Sequence, residues 1–341
     1  MDGITTIRHG VILTLSGLLL CLVVHGQKAS GQISIHDLHI RDPYILTDPE
    51  THTYLLYQSA TVKNVAGQNT SGVVAYRSTD LESWTGPTVV YRTPENNWTQ
   101  GAAWAPEVHQ YKGKYYLFVT LSSPVEWEKA QEGWPKYVHR GTQICYADQP
   151  MGPFLPFKDH LPQTPLDWMA LDGTFWVENG IPYMVFCHEW VQIVDGAIAV
   201  ERLTPDLSKA ASAPVTLFHG SAAPWSSGDR HSQGPASYVT DGCFLYRTKS
   251  GKLLLLWSSF RSGKYVTGLA ESVTGKVTGP WKQQPQLLFD ENGGHGMLFK
   301  ALDGKLLLVL HAPNAPAGKE RAHIFEVKDT GSSLKLGKKL F

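Results

Sequence analysis

Four acidic residues and one histidine recur along the chain at long and similar intervals. They are Asp42, Glu107, Asp172, Asp241 and His295, separated by 65, 65, 69 and 54 residues. Each of them precedes a short apolar stretch of the kind that forms a β-strand. Carboxyl groups that lie close together shift one another's pKa, and two groups with different pKa values can act as general acid and general base. A single Asp at such a position often does no more than start a strand, but four acids in five corresponding positions favour a shared site.

Each of the five residues opens a copy of the same longer pattern. A first strand, a Gly-containing turn and a strong second strand are followed by a third strand and a fourth apolar run. The fourth runs read PTVVY, PFLPF, PVTLF, PQLLF and LKLGKKLF. Four strands repeated five times predict an all-β fold, a five-bladed β-propeller with four antiparallel strands per blade. The first strand of each blade lines the central channel of a propeller, so the five polar residues are expected to meet at one mouth of it. A β-sandwich is the alternative fold, but it does not explain the repeated polar residue.

The composition excludes several classes of protein. Hydrophobic residues make up 42% and charged residues 18% of the chain, which is typical of a folded domain and not of a disordered one. The 30 Lys and Arg residues equal the 30 Asp and Glu residues, so the net charge is zero. We therefore expect neither nucleic acid nor a membrane surface as a partner. The aromatic content of 11% suits a groove lined with rings.

The N-terminus has the pattern of a secretory signal peptide. Arg8 precedes the apolar run Val11–Val24, and Val-His-Gly stands before Gln27. We expect residues 1–26 to be removed and residues 27–341 to form a single propeller domain that is exported to the periplasm or the medium. An uncleaved anchor and a lipid on Cys21 are the alternatives. No second long apolar run follows, so we expect no membrane association of the mature chain.

Cysteine and histidine patterns do not predict a metal enzyme. Cys145, Cys187 and Cys243 are far apart and odd in number, which indicates buried free thiols rather than a disulfide framework or a zinc site. Catalytic zinc is disfavoured because the chain has no HExxH or HxxEH motif. The glycine-rich segment 293–296 is followed by neither Lys-Ser/Thr nor a helical pattern, so it is not a phosphate loop.

The segments around the five leading residues resemble glycoside hydrolase family 43. This family consists of five-bladed propellers that remove arabinose, xylose or related sugars from plant polysaccharides. The matching segments are His39-Ile40-Arg41-Asp42-Pro43-Tyr44, Trp104-Ala105-Pro106-Glu107-Val108, Leu171-Asp172-Gly173-Thr174-Phe175, Thr240-Asp241-Gly242 and Gly294-His295-Gly296. The resemblance extends over about residues 33–327, nearly the whole mature chain.

The resemblance implies roles for these residues. Asp42 would be the general base that activates water, and Asp172 would adjust the pKa of the acid and orient it. The family's proton donor is a Glu at the start of blade four, where this chain has Asp241, which is one methylene shorter. Glu189, at the end of the second strand of blade three, is the alternative acid. His295 matches a family histidine near the channel axis, and the resemblance implies a structural calcium beside it, although the chemistry itself requires no cofactor.

Glycosidic cleavage needs one carboxylic acid to protonate the leaving oxygen and one carboxylate to activate water or attack the sugar. Sugars also present apolar faces and hydroxyls, so aromatic and polar side chains near the mouth are candidate contacts. The candidate substrate-binding residues are Trp104, Glu107, Trp190, Arg261 and His295. Trp168 and Trp225 lie nearby in sequence, and packing between blades is the alternative role for every Trp.

The substrate follows less directly from the sequence. We expect a carbohydrate substrate and favour an exo-acting, inverting α-L-arabinofuranosidase, with galactofuranosyl and xylosyl units as alternatives. Insertions at Pro124–Arg140 and between Ala60 and Ser71 are expected to border the pocket and favour exo action. Another propeller glycosidase and a lectin-like propeller that binds sugar without cleaving it are the remaining hypotheses.

Overall fold

The computed structural model describes residues 31–130, 132–230 and 236–341. The predicted signal segment 1–26 and Cys21 lie outside the described residues. Residues 32–341 form one unit built almost entirely of β-strands. The described part contains two short helical turns, α1 (Trp190–Ile193) and a 3-10 turn (Gly220–Ala222). No helix in these described ranges has the length and apolar character needed to cross a bilayer.

The first two blades follow each other directly in the chain. Blade one contains β1 (Ile33–Ser34), β2 (Tyr44–Asp48), β3 (Thr53–Lys63), β4 (Asn69–Ser78) and β5 (Ser83–Arg92). Blade two contains β6 (Ala103–Tyr111), β7 (Lys114–Glu128), β8 (Tyr137–Ala147) and β9 (Leu155–Pro156). Both predicted insertions are extensions of hairpins, since β3–β4 and β7–β8 continue past the ends of the inner strands.

The remaining blades repeat the same plan. Blade three contains β10 (Ala170–Glu178), β11 (Ile181–His188), β12 (Ala197–Arg202) and β13 (Val215–His219). A separate two-stranded sheet follows, formed by β14 (Asp229–Arg230) and β15 (Ala236–Ser237). Blade four contains β16 (Asp241–Arg247), β17 (Leu253–Arg261), β18 (Lys264–Ser272) and β19 (Trp281–Gln283). Blade five contains β20 (Gly294–Lys300), β21 (Leu306–Ala312), β22 (Arg321–Asp329) and β23 (Leu334–Lys339).

Within each blade, consecutive strands pair antiparallel in chain order, outward from the channel. The inner strands are β2, β6, β10, β16 and β20. Each inner strand contacts its neighbour in the next blade, and the contact of β20 with β2 closes the ring. The predicted five-bladed β-propeller is confirmed. Blade one has one strand more than predicted, because β1 pairs with the outer edge of β5.

The second strand of each blade is apolar because both of its faces are buried. In β17, Leu253 and Leu255 pack into a core shared with blade three, whereas Leu254 and Leu256 pack into a core shared with blade five. All four side chains are fully buried. Burying each one stabilises the fold by roughly 1.5–3 kcal/mol relative to exposing it. This packing between adjacent blades holds the inner strands in a ring and fixes the side chains at its mouth.

Two further sequence predictions can be compared with the strands. The three cysteines of the domain are buried and free, as predicted, on β8, β11 and β16. The predicted fourth strand of blade four, residues 285–289, is wrong, because β19 is Trp281–Gln283. Leu288 and Phe289 still hydrogen-bond to Thr267, but their side chains turn into the core between blades four and five.

Candidate active site

A left-handed backbone residue occurs at an equivalent place in every blade, just before the inner strand in blade one and within the first three residues of the inner strand in the others. These residues are Asp42 (φ 49°), Ala105 (φ 41°), Asp172 (φ 55°), Gly242 (φ 57°) and His295 (φ 51°). In blades two to five the register between the first and second strands shifts at this point, as in a β-bulge. Such backbone costs roughly 1–3 kcal/mol at a non-glycine residue, and bulges of this kind often redirect side chains at functional sites.

The position of the left-handed residue corrects, in two blades, the equivalence of residues that the sequence repeat predicted. The residues equivalent to Asp42 and Asp172 are Ala105 and Gly242, not Glu107 and Asp241. Glu107 lies two residues further along its strand, so it sits deeper in the channel. Asp241 lies one residue earlier, and it reaches the mouth from there. The signal for blade two is present in the sequence, because Pro43 and Pro106 each follow the left-handed residue.

A cavity of about 500 Å³ opens at this mouth of the channel, within the usual size range for small-ligand sites. It contains all four predicted catalytic residues, two of the predicted tryptophans and His295. Its lining comprises Arg41, Asp42, Ser59, Trp104, Leu171, Asp172, Glu189, Trp190, Val239, Asp241, Phe260, Tyr265, His295 and Asn314. All five blades or their connecting loops contribute to it.

His295 lies between the carboxyl groups of blades one and three. Its Nδ1 is 3.2 Å from Asp42 Oδ1 and 3.7 Å from Asp172 Oδ2. Burial by itself would lower the pKa of His295, but the charges of Asp42 and Asp172 outweigh burial and raise it to about 10. The imidazole is therefore a cation at neutral pH, and it holds these two carboxyl groups in place.

Asp42 is the carboxyl group that stays ionised. Burial acts to raise its pKa, but the positive charge of His295 and a hydrogen bond with His295 hold the pKa well below its usual range. His311 Nδ1 lies 3.3 Å from both the backbone nitrogen and Oδ1 of Asp42. A carboxylate that remains charged at the edge of a cavity suits the activation of water.

Asp172 and Asp241 have the opposite tendency. Burial, opposed by the charge of His295, raises the pKa of Asp172 to about 6. Burial and the charge of Asp172 raise the pKa of Asp241 to about 7, and a 3.0 Å hydrogen bond from the Tyr265 hydroxyl fixes the Asp241 carboxyl group. Asp241 can therefore carry a proton near neutral pH, and its proton affinity depends on the charge of Asp172.

Gly242 joins these two acids and tolerates no side chain. Its backbone N–H donates a 2.9 Å hydrogen bond to Asp172 Oδ2, directly after Asp241 in the chain. A Cβ at this position would lie 2.8 Å from the Cα and the Cγ of His295, and the φ of +57° is in the left-handed region. Only glycine allows the backbones of blades four and five to approach this closely.

Glu189 also lines the cavity and has a different partner. Burial raises the pKa of Glu189 to about 7, against the charge and the hydrogen bond of Arg140. Arg140 Nη1 forms an ion pair with Glu189 Oε2, and the Arg140 guanidinium stacks 4.1 Å above the ring centroid of Trp104. The sequence did not indicate Arg140, because a lone Arg in a long hairpin carries no motif.

The other predicted contacts divide into those at the cavity and those elsewhere. Trp104 and Trp190 line the cavity as predicted, but Arg261 is exposed on the β17–β18 turn and does not line it. Trp168 stacks on His188 at 4.0 Å, and Trp225 packs against Trp257 at 4.6 Å. These last two rings therefore serve packing.

Glu107 faces the channel below the cavity. Its Oε2 is 2.8 Å from His109 Nε2 and 2.7 Å from Thr174 Oγ1. It borders a narrow space of about 10 Å³ that shares only Asp42 and His295 with the large cavity. Its hydrogen bonds connect blades two and three, and it does not line the large cavity to which the sequence assigned it.

The extended hairpin of blade two forms one wall of the site. Trp134, near its tip, lies edge-on to Trp190 with ring centroids 5.4 Å apart, and its Nε1 donates a 2.7 Å hydrogen bond to the carbonyl of Val191. The hairpin therefore spans from blade two to α1 of blade three. Trp190 is held between this hairpin and the cavity.

Calcium in the channel remains a prediction. Calcium prefers oxygen ligands, usually six to eight of them. Nδ1 of His295 already faces two carboxylates, and Glu107 already bonds to His109 and Thr174. In residues 31–130, 132–230 and 236–341, no three His, Cys, Asp or Glu side chains are grouped as metal ligands.

Residues 33–327 match the sequence profile of the family described as Glycosyl hydrolases family 43. The chain belongs to this family. The resemblance found in the sequence is thus confirmed, and this family 43 protein is a glycosidase whose substrate is a carbohydrate. No protein with a curated functional description matches the chain.

Solved structures with the same fold carry several activities in their names. The structure of an endo-arabinase from Bacteroides thetaiotaomicron is 39% identical, with a TM-score of 0.76, and covers 88% of this chain and 98% of its own. A thermostable family-43 glycoside hydrolase is 20% identical, with a TM-score of 0.70 and coverage of 88% and 94%. An endo-1,4-beta-xylanase from Bacteroides thetaiotaomicron is also 20% identical, with a TM-score of 0.66 and coverage of 89% and 96%. The last two share the fold only.

Proposed function

We propose that this family 43 protein hydrolyses α-L-arabinofuranosyl bonds with inversion at the anomeric carbon. The observation that carries the proposal is the opposed pKa values of carboxyl groups in one cavity: the pKa of Asp42 lies well below its usual range, and that of Asp241 is raised to about 7. Asp42 would remove a proton from the attacking water, while Asp241 would protonate the leaving oxygen. Asp172 would keep Asp241 protonated through its negative charge. Glycosidic hydrolysis requires such a pair of one ionised and one protonated carboxyl group, and the resemblance to the family implies inversion.

Arabinose is favoured by the 39% identical structure, which is named as an endo-arabinase. Galactofuranosyl and xylosyl units remain the alternatives. For the mode of action we favour exo cleavage, because the blade-two hairpin crosses to α1 through Trp134 and Trp190, and Trp190 lines the cavity. Endo cleavage of arabinan is the second candidate, and the name of the same relative favours it.

Export is part of the proposal, since polysaccharides lie outside the cell. Residues 1–26 would be removed, and the mature chain would start near Gln27. N-terminal sequencing of protein from the periplasm or the medium tests this directly. A chain that still begins at Met1 in those fractions would contradict it.

Activity is tested with a panel of 4-nitrophenyl furanosides and pyranosides. We expect the arabinofuranoside to be cleaved fastest and Asp42→Asn to lose about 10²–10⁴-fold in rate. Asp303→Asn, a change at an exposed carboxylate, is the matched control. Proton NMR of the first-formed sugar should show the inverted anomer. Binding of arabino-oligosaccharides without hydrolysis would support the lectin-like alternative instead.

Linear arabinan separates the two modes of action. Exo cleavage releases short sugars while the viscosity of the solution falls slowly. A rapid loss of viscosity at low release of reducing ends would favour the endo alternative.

A further inference from the structure

Arg41 lines the cavity next to Asp42, the proposed base. Its side chain is 46% exposed, and its Nε is 3.8 Å from Asp42 Oδ2. The pKa of Asp42 is lowered chiefly by the charge of His295. The guanidinium has five N–H donors, and it therefore retains donors that can face a ligand in the cavity.

Blade five holds this guanidinium in one orientation. Arg41 Nη1 donates a 3.1 Å hydrogen bond to Glu320 Oε1, and Nη2 donates a 3.0 Å bond to Asn314 Oδ1. The other oxygen of Glu320 lies 2.9 Å from His39 Nε2 and accepts a 2.6 Å bond from the backbone N–H of Gly318. Both oxygens of Glu320 are thus occupied, and its side chain is only 3% exposed.

The surrounding charges decide which ligand Arg41 can bind. The single positive charge of Arg41 already faces two carboxylates, Glu320 at 3.1 Å and Asp42 at 3.8 Å. The positive charge of His295 does not neutralise this pair, because it is shared between Asp42 and Asp172. A further carboxylate, such as that of a uronic acid, would therefore meet a net negative environment there. A neutral hydroxyl can accept a hydrogen bond from the guanidinium without adding charge.

We propose that Arg41 is a substrate-binding residue that donates hydrogen bonds to the hydroxyls of a neutral sugar, and that Glu320 is the positioning residue that holds it. The inference rests on the proposed function only in taking this cavity as the glycoside site. Arg41 and Glu320 are 279 residues apart in the chain. The contact between blades one and five therefore completes the sugar-binding site as well as closing the ring.

The first test is Arg41→Ala on the glycoside that the wild-type enzyme cleaves best. Loss of hydrogen bonds from a charged donor should raise KM about 10- to 100-fold, with a smaller change in kcat. Arg41→Lys retains the charge but not the two-pronged geometry, so its KM should lie between those of Arg41→Ala and the wild type. An unchanged KM in Arg41→Ala would overturn the inference.

The second test is Glu320→Gln, with Glu326→Gln on β22 as the matched exposed control. Glu320→Gln should raise KM, and it should raise KM no further when combined with Arg41→Ala, because it acts through Arg41. Glu326→Gln should leave KM unchanged. A Glu320→Gln variant with a lower melting temperature and a normal KM would show that Glu320 only closes the ring, which contradicts the positioning role.

Failure of the inference can be distinguished from failure of the proposed function. If the wild-type enzyme cleaves none of the glycosides, calorimetric titration with L-arabinose, D-xylose and D-galactose still tests Arg41. Weaker binding by Arg41→Ala supports the inference, whereas equal affinity or no binding by either protein overturns it. Tighter wild-type binding of D-galacturonic acid than of D-galactose would also overturn it, because the neutral-sugar argument would then be wrong.

Discussion

The identity of the proton donor can be decided by changing Asp241 to Asn. The Asn side chain has the same shape and can still accept the hydrogen bond from Tyr265, so the fold should be retained. With a pKa of about 7, Asp241 is about half protonated at pH 7 and about nine tenths protonated at pH 6. General acid catalysis contributes about 10²–10⁴-fold, and this is the loss expected at pH 6 on an arabino-oligosaccharide, whose leaving alkoxide needs a proton.

The size of the loss should depend on the leaving group. A 2,4-dinitrophenyl arabinofuranoside releases a stable phenolate, so Asp241→Asn should lose far less activity on it than on the oligosaccharide. Glu189→Gln is the matched variant, because Glu189 has a similar pKa, about 7, but is paired with Arg140, which favours its charged form. We expect Glu189→Gln to affect both substrates to the same degree.

The assay is kcat/KM on both substrates for the two variants and the wild type, with folding checked by thermal unfolding. Asp241 is not the proton donor if Asp241→Asn loses the same share of kcat/KM on both substrates while Glu189→Gln shows the leaving-group dependence. In that case Glu189, the alternative acid, would be the proton donor, and the ion pair with Arg140 would adjust its pKa.

Four further predictions follow from particular contacts. Asp172→Asn removes the negative charge that helps to raise the pKa of Asp241, so the alkaline limb of the pH profile of kcat/KM should move to lower pH. A limb that does not move would show that the charge of Asp172 does not control the pKa of the proton donor. Gly242→Ala should lower thermal stability more than Gly251→Ala does: both residues have positive φ, which costs an alanine roughly 1–2 kcal/mol, but only at Gly242 would the Cβ meet His295. Neither oxygen of the buried Glu201 has a hydrogen-bond partner within the described residues, and burial raises its pKa to about 8. Burial therefore keeps this carboxyl group protonated in the folded state, and the stability of the protein falls as the pH rises from the usual glutamate pKa of 4.5 to about 8. Glu201→Gln should reduce the difference between the free energies of unfolding at pH 5 and pH 8 by roughly a few kcal/mol in denaturant titrations, and an unchanged difference would contradict this. The resemblance implies a single calcium site, so metal analysis of the purified protein should find about one calcium ion per chain. Removal of a bound ion with EDTA should lower the melting temperature.

The local repeat explains why the fold could be predicted so fully. Alternating and continuous apolar runs, bounded by Gly and Pro, indicate β-strands from local sequence alone, and the same runs recur in each blade. Asp42, Asp172 and His295 were placed correctly because their blades share one register. Glu107 was misplaced because the bulge in its strand lies at Ala105, and a shift of two residues moves a side chain deeper into the channel. Asp241 lines the cavity as expected, although Gly242, one residue later, is the structural equivalent of Asp42 and Asp172.

Contacts between distant segments had no signature in the sequence. Arg140 meets Glu189 because blades two and three pack together, and Arg41 meets Glu320 because blades one and five close the ring. The pKa values likewise depend on burial and on which charges face one another, so no list of residues could separate Asp42 from Asp241 in protonation state. Nearly all the strands, their repeat and most of the acids at the mouth could be predicted from the sequence, because these follow from local patterns. The tertiary structure alone decided the partners and the charge of each acid, because desolvation and Coulomb interactions act between groups that are distant in the chain.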